Sequence, residues 1–194
     1  MSSFAGRPLR PALLALEDGR TFQGRSFGAE ADAAGELVFN TAMTGYQEIL
    51  TDPSYRGQMV IMTYPHIGNY GIIEGEDESR RPWVEAFIVK EVSRRPSNFR
   101  AGKDLAAFLR EKNIPGIEGI DTRALTRHIR ERGALKAVLS STDLDEKRMI
   151  RRAKESPDLD GRDLVRDVTC ASAFTAGEKG GRPLCVAYDL GGKN

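Results

Sequence analysis

The sequence predicts a mixed α+β domain that is followed by a linker and by one further strand. Short β-branched and apolar runs of strand length dominate the first half, and apolar residues recur at helical spacing from about residue 104. From residue 156 the pattern thins into glycine, alanine and serine, and an apolar run, "LCVAYDLGGKN", follows. Because a lone strand needs neighbours, we expect it to open a second domain that this sequence does not include. The expected limits are 1–155 for the first domain, 156–182 for the linker and 183–194 for the start of the second.

The strand signals begin with a hairpin, in which Asp18-Gly19 stands between two apolar runs and favours a type I′ turn. Further strands are predicted at 36–40, 58–64, 83–92 and 134–141. The charged stretch "EGEDESRRP" is predicted to be a solvated surface turn. The run "LCVAYDLGGKN" is predicted to be a strand that buries Cys185, Val186 and Tyr188.

Three helices are predicted from caps and apolar spacing. Asp104 is a suitable N-cap for a helix whose apolar face comprises Leu105, Phe108 and Leu109. Asp121 or Thr122 caps a second helix with a face of Leu125, His128 and Ile129, and Gly133 is expected to end it. A third, charged helix lies in "DLDEKRMIRRAKES", capped by Asp143 or Asp145.

Composition narrows the possible functions. The 29 lysines and arginines nearly balance 28 aspartates and glutamates, which argues against a general nucleic-acid binder. No run approaches the ~20 apolar residues of a membrane span. Two cysteines, Cys170 and Cys185, are too few and too far apart for a zinc site or a disulfide framework, and two histidines exclude a multi-histidine metal site. We therefore expect a cytoplasmic protein with no metal of its own, no nucleic acid and no membrane among its partners.

The stretch "GYQEILTDPSYRGQ", residues 45–58, is longer than a simple connection between two strands requires. Within it, Pro53 fixes a turn that presents the hydroxyl of Ser54. A self-standing serine hydrolase using Ser54 and His66 is one interpretation, but there is no G-x-S-x-G and neither histidine has a predicted catalytic neighbour. A hydrogen bond from Ser54 to a polar ligand is favoured instead.

A second irregular stretch, "TYPHIGNYG", follows a predicted strand and is expected to approach the first. Tyr46, Glu48 and Asn69 are candidates to brace these loops or to line an interface. The arginine-rich stretches "RHIRER" and "RMIRRAK" are interpreted as solvated helix faces, with a docking surface for an acidic protein or for RNA as the alternative.

Several strings, in order, resemble one known family. "LEDGRTFQGRSFG", "GELVFNTAMTGYQEILTDPSYRGQ", "TYPHIGNYG", "SNFR", "IPGIEGIDTRALTRHIRERG" and "VAYDLGGKN" are similar to the small, glutaminase subunit of carbamoyl phosphate synthetase. The match runs nearly unbroken over 12–132 and returns at 186–194, whereas 142–182 shows little that can be matched.

The resemblance implies a three-layer β/β/α swivelling domain, followed by a flavodoxin-like class I amidotransferase domain of which only the first strand is included. It implies that Ser54 binds the substrate glutamine across the domain boundary, and that the catalytic cysteine lies beyond this sequence, so that Cys170 and Cys185 do not inherit its role. It also implies a large synthetase subunit as the partner in a heterodimer. That subunit would use ATP, magnesium, bicarbonate and the released ammonia to make carbamoyl phosphate for arginine or pyrimidine biosynthesis. This fragment alone is expected to be catalytically silent.

Overall fold

The computed structural model describes residues 10–175 and 185–193, and its central feature is a closed sheet. The described strands are β1 Arg10–Leu16, β2 Thr21–Ser26, β3 Ala33–Asn40, β4 Gln58–Met62, β5 His66–Ile67, β6 Ala86–Ile88, β7 Glu91–Val92, β8 Gly116–Glu118 and β9 Leu135–Ser140. Seven of them close into a barrel in the order β1-β2-β8-β6-β4-β3-β9, and β9 pairs back onto β1. The remaining two, β5 and β7, form a separate parallel ribbon.

The described helices are short and lie between or after these strands: α1 Tyr46–Thr51, α2 Leu105–Glu111, α3 Thr122–Arg132, α4 Glu146–Glu155 and α5 Val165–Val168. A 3₁₀ turn, Pro53–Tyr55, follows α1 directly. Aspartates cap three of the helices as the sequence predicts, because the side chains of Asp104, Asp121 and Asp145 accept backbone N–H groups of the first turn. Gly133, with φ of 92°, ends α3.

The length of the 41–57 connection has a topological cause. β3 and β4 are parallel, with Glu36 opposite Gln58, and parallel neighbours cannot be joined by a tight hairpin. The chain must cross from one end of the sheet to the other, and α1 and the 3₁₀ turn form in that crossover. Parallel pairing continues from β4 to β6 and from β6 to β8, whereas β1, β2 and β9 pair antiparallel.

Three apolar clusters hold the described part of the chain together. Alternate residues of β4 face two of them: Met59 and Ile61 join an inner cluster that α3 covers, and Val60 and Met62 join an outer cluster with α1 and α2. A third cluster packs α4 against β1 and β9. Because β4 is buried on both faces, its sequence is a continuous apolar run instead of an alternation.

The predicted mixed α and β architecture is confirmed, with corrections in detail. The predicted strands 58–64 and 134–141 are confirmed with ends that differ by at most two residues, and strand 36–40 is confirmed but begins three residues earlier. The prediction of one continuous strand over 83–92 is wrong. The chain leaves the barrel after β6, and Glu91–Val92 pairs with β5 instead. The three-residue strand β8 was not predicted at all. The three-layer arrangement and the domain limits stay predictions.

The first hairpin is confirmed, but its predicted type I′ turn is wrong. Only Gly19 has a positive φ, of 99°, whereas a type I′ turn needs two such residues. The Gly19 amide donates to Leu16 O (3.0 Å), and the loop is one residue longer than predicted, because Leu16 N donates to Arg20 O (2.9 Å).

The predicted buried strand in "LCVAYDLGGKN" is also wrong for its described residues, 185–193, while 183, 184 and 194 lie outside them. This segment forms no strand; Cys185 is exposed, and Val186 and Tyr188 are 76% and 92% exposed. No described strand lies beside it, and an unpaired strand is not stable alone.

A hydrogen bond between the buried ring of His128 and the partly exposed carboxylate of Asp18 joins α3 to the first hairpin, and it gives a test of the fold. His128 is only 5% exposed, and its Nε2 lies 2.5 Å from Asp18 Oδ2. Burial raises the pKa of Asp18, but hydrogen bonds from the Arg20 amide and from His128 more than offset this, so the pKa is lowered overall. The stability that Asp18 contributes is therefore fully present above its unfolded pKa and is lost as pH falls through the lower folded pKa.

We expect Asp18→Asn to lower the free energy of unfolding at pH 7 by about 1–2 kcal/mol, the value of a charge-assisted hydrogen bond discounted for partial exposure. The difference from the parent should shrink as the pH falls below about 4. Urea denaturation at several pH values measures it. Asp160→Asn, an exposed turn position, is the matched control. A difference that stays constant down to pH 2 would contradict the assigned role of Asp18.

Candidate functional site

The two irregular stretches meet at the start of α1. Gly45, with φ of 82°, precedes the helix, and the Tyr70 hydroxyl accepts the Gly45 and Tyr46 amides at 2.7 and 3.0 Å. The Tyr46 hydroxyl donates to Gly71 O at 2.6 Å, and the two tyrosine rings stack with centroids 4.2 Å apart. Burial raises the pKa of both phenols, so each stays neutral and able to donate a hydrogen bond.

Gln47 ties α1 to the charged loop that precedes β6. Gln47 is only 1% exposed, and its side-chain Oε1 accepts a hydrogen bond from the Ile73 amide at 2.8 Å. Its Nε2 donates to Ile73 O at 2.8 Å and to Asp77 Oδ1 at 2.7 Å. A buried amide whose donor and acceptor are both satisfied fixes the loop at little cost.

The end of α1 holds the other half of the same loop. The Thr51 hydroxyl accepts the Glu78 amide at 2.9 Å, and Ser79 Oγ donates to Thr51 O at 2.6 Å. Ser79 Oγ in turn accepts Trp83 Nε1 at 2.7 Å. The stretch "EGEDESRRP" is a surface loop, as predicted, and most of its residues are exposed. The prediction missed that α1 anchors this loop through the Glu78 amide and Ser79.

The 3₁₀ turn presents Ser54 to solvent. Asp52 caps the turn by accepting the Ser54 amide on Oδ1 at 2.9 Å, and buried Pro53 is its first residue. The neighbouring Tyr55 hydroxyl accepts Asn40 Nδ2 at 3.0 Å. These contacts fix the backbone on both sides of Ser54, whose side chain is exposed.

Segment 185–193, distant in sequence, lies against this turn. Lys193 Nζ is 2.6 Å from Asp52 Oδ2. Burial raises the pKa of Asp52, but the hydrogen bonds from Lys193 and from Ser54 lower it overall. Asp189 accepts the Gly191 and Gly192 amides at 2.9 and 2.6 Å, and the backbone amides that surround it hold the pKa of this carboxyl at about 2. The candidate site is thus an exposed hydroxyl beside a carboxylate and a lysine.

The other candidate residues lie at or near this region. Glu48 is partly buried, and its Oε2 is buried without a hydrogen-bond partner among the described residues. Asn69 is exposed, and its carbonyl accepts the Ser97 amide at 2.7 Å. His66 Nδ1 lies 3.8 Å from Glu91 Oε1. Among the described residues neither histidine bonds to Ser54, so the serine–histidine pair of a hydrolase is not assembled.

The cysteines and the charged helices offer no competing centre in the described ranges. Hydrogen bonding to Asp189 and burial raise the pKa of the Cys170 thiol, which disfavours the reactive thiolate. Arg148 and Arg152 on α4 pair with Asp143 and Asp32 instead of standing free. Within 10–175 and 185–193 there is no cluster of metal-ligating side chains and no helix long and apolar enough to cross a membrane.

Residues 14–139 match the family model described as carbamoyl-phosphate synthase small chain, CPSase domain. The chain belongs to this family. Its similarity to curated carbamoyl phosphate synthase small chains is high: 51% identity over 93% of the chain to that of Syntrophotalea carbinolica, 53% over 85% to that of Aquifex aeolicus, and 55% over 83% to that of Rhodopirellula baltica.

The chain spans about half the length of the carbamoyl phosphate synthase small chains it matches, with shares of 51%, 44% and 41% for the three named relatives. The family model runs from within β1 to within β9, so it covers most of the barrel and includes the Ser54 turn. The resemblance seen in the sequence is confirmed.

In this small-chain domain we expect Asp52→Ala to weaken the Ser54 turn. Losing the cap should cost about 1 kcal/mol of stability and speed hydrogen exchange at the Ser54 amide, because that amide loses its acceptor. Urea denaturation and amide exchange measure the two effects.

Asp145→Ala is the matched control, since it removes an equivalent cap from α4, which packs against β1 and β9. It should cost similar stability and leave the exchange at Ser54 unchanged. Equal exchange rates at Ser54 in the parent and in Asp52→Ala would contradict the assigned cap.

Proposed function

We propose that this chain is the N-terminal part of the glutamine-hydrolysing small subunit of a carbamoyl phosphate synthetase. The subunit would supply ammonia to a large subunit, which makes carbamoyl phosphate from bicarbonate, ammonia and ATP in the cytoplasm. The barrel would adopt the three-layer swivelling arrangement of the family and contribute a docking face for the large subunit. The supporting observation is Ser54, an exposed hydroxyl on a fixed turn that touches segment 185–193, where the amidotransferase domain is expected to start.

Ser54 would hydrogen-bond the amino-acid head of the substrate glutamine. A hydroxyl on a turn fixed by Pro53 and capped by Asp52 loses little conformational freedom on binding, so more of the hydrogen-bond energy remains as affinity. Acyl transfer itself would proceed through a cysteine thioester on the amidotransferase domain. Cys170 and Cys185 would take no part in it, and the domain described here would need no cofactor.

The chain by itself should be silent toward glutamine. Without the nucleophilic cysteine there is no group that attacks the amide, and a hydroxyl that only binds substrate does not lower the barrier to hydrolysis. Incubating the purified chain with glutamine should release ammonia at the rate of a protein-free blank, measured with a coupled ammonia assay. The full-length subunit under the same conditions is the positive control, and robust release by the chain alone would refute the proposal.

Ser54→Ala in the full-length subunit should raise the KM for glutamine about tenfold with little change in kcat. Removing one hydrogen bond of about 1.4 kcal/mol that is made equally in the ground state and in the transition state affects only KM. Glutamine-dependent synthesis by the assembled enzyme gives both constants. Ser97→Ala, at an exposed serine remote from the turn in sequence, is the control. An unchanged KM for Ser54→Ala would remove Ser54 from the site.

A further inference from the structure

We propose that Arg80 is a positioning residue that holds Ser54 in place from a distance. Arg80 would clamp the segment around α5 against the loop that α1 anchors, and that segment would fix residues 189–193 beside the Ser54 turn. This inference rests on the proposed function, because it assumes that the placement of Ser54 sets the affinity for glutamine.

Arg80 joins two parts of the chain that are far apart in sequence. Its Nη2 donates to Asp167 O at 3.1 Å and its Nη1 donates to Thr169 O at 3.4 Å. Asp167 lies in the last turn of α5 and Thr169 directly follows that helix, where carbonyls lack helical partners and favour a cation. A planar guanidinium can reach both oxygens at once, and a lysine ammonium cannot.

The loop that carries Arg80 is itself fixed. The Arg80 guanidinium lies 5.1 Å from the centroid of the Trp83 ring, and Trp83 is only 3% exposed. Trp83 Nε1 donates to Ser79 Oγ, which donates to Thr51 O immediately before Asp52. The loop therefore contacts both the end of α1, two residues before the Ser54 turn begins, and the α5 segment.

Segment 185–193 connects the α5 segment to the Ser54 turn. The Cys170 amide donates to Asp189 Oδ2 at 2.6 Å, and Asp189 also accepts the Gly191 and Gly192 amides. Gly191 packs closely against Val168 of α5, because a Cβ added to Gly191 would lie only 2.7 Å from Val168 Cγ2.

Lys193 forms an ion pair with Asp52, the residue that caps the Ser54 turn, and so connects segment 185–193 to that turn. Arg56 supports the same segment through the Asp167 carboxylate, at 3.0 Å from its Nε. Arg80 differs from Arg56 because it binds backbone carbonyls, those of Asp167 and of Thr169, and Thr169 directly precedes Cys170. Its loss should therefore release segment 185–193 while α1 and its loop stay bonded.

The clamp is tested by hydrogen exchange on the full-length subunit carrying Arg80→Ala. Exchange should quicken at the Cys170, Gly191 and Gly192 amides, and the Ile73 amide, which Gln47 holds, should be unaffected. Arg123→Ala removes an exposed arginine of α3 and is the matched control. Unchanged exchange at all three amides would overturn the clamp.

The effect on Ser54 is tested in the subunit assembled with its large subunit. Arg80→Ala should raise the KM for glutamine by roughly three- to tenfold, as one displaced hydrogen bond would, with kcat and ammonia-dependent synthesis unchanged. Arg80→Lys should restore the KM only in part. In a Ser54→Ala background Arg80→Ala should have no further effect, because two residues that act through one contact are not additive.

Each failure has a separate meaning. Effects of Arg80→Ala and Ser54→Ala that multiply, or an equal loss of glutamine- and ammonia-dependent synthesis, would overturn the positioning role and leave the proposed function standing. An unchanged KM for Ser54→Ala alone would refute the glutamine contact and with it the kinetic half of this inference. The exchange measurement would still decide whether Arg80 clamps the α5 segment.

Discussion

Parallel pairing of β3 with β4 is the constraint on which the candidate site depends. Parallel neighbours force the chain to return across the sheet before the second strand begins. If β3 and β4 were antiparallel, a two-residue turn could join them, and residues 45–57 would not be needed. The barrel therefore creates the long connection, and the connection carries α1, the Asp52 cap and Ser54. Both faces of β4 are buried, which fixes its register, since a shift by one residue would exchange the side chains of two apolar clusters.

Buried polar side chains help to fix where the loops lie around this connection. Gln47, Thr51 and Ser79 are buried, and each makes at least one hydrogen bond to the backbone of another segment. Leaving such a group unsatisfied would cost about 1–3 kcal/mol, so alternative loop positions are penalised. A charged loop at the surface is thus tied by hydrogen bonds to the end of α1.

Local signals in the sequence were sufficient for some of these features and not for others. Asp104, Asp121 and Asp145 cap their helices through bonds to residues three positions away, so the pattern is visible in the sequence. β8 is only three residues long and exists because β2 and β6 flank it, which no window of sequence contains. The turn and the family resemblance predict Ser54 as a binding residue, and the structure shows only that its side chain is exposed. The contacts of Asp52 with Lys193 and of Arg80 with Thr169 join residues far apart in the chain, and only the fold brings them together.

Trp83 is the sole tryptophan of the chain, and it sits within the hydrogen-bond network between α1 and the loop. Its ring is nearly enclosed, its Nε1 is bonded to Ser79, and the Arg81 guanidinium lies 3.8 Å from its centroid. Indole emission is sensitive to hydration and to nearby charge. The domain therefore contains an intrinsic optical probe at the support of its candidate binding turn, and fluorescence can follow loosening of that support without any added label.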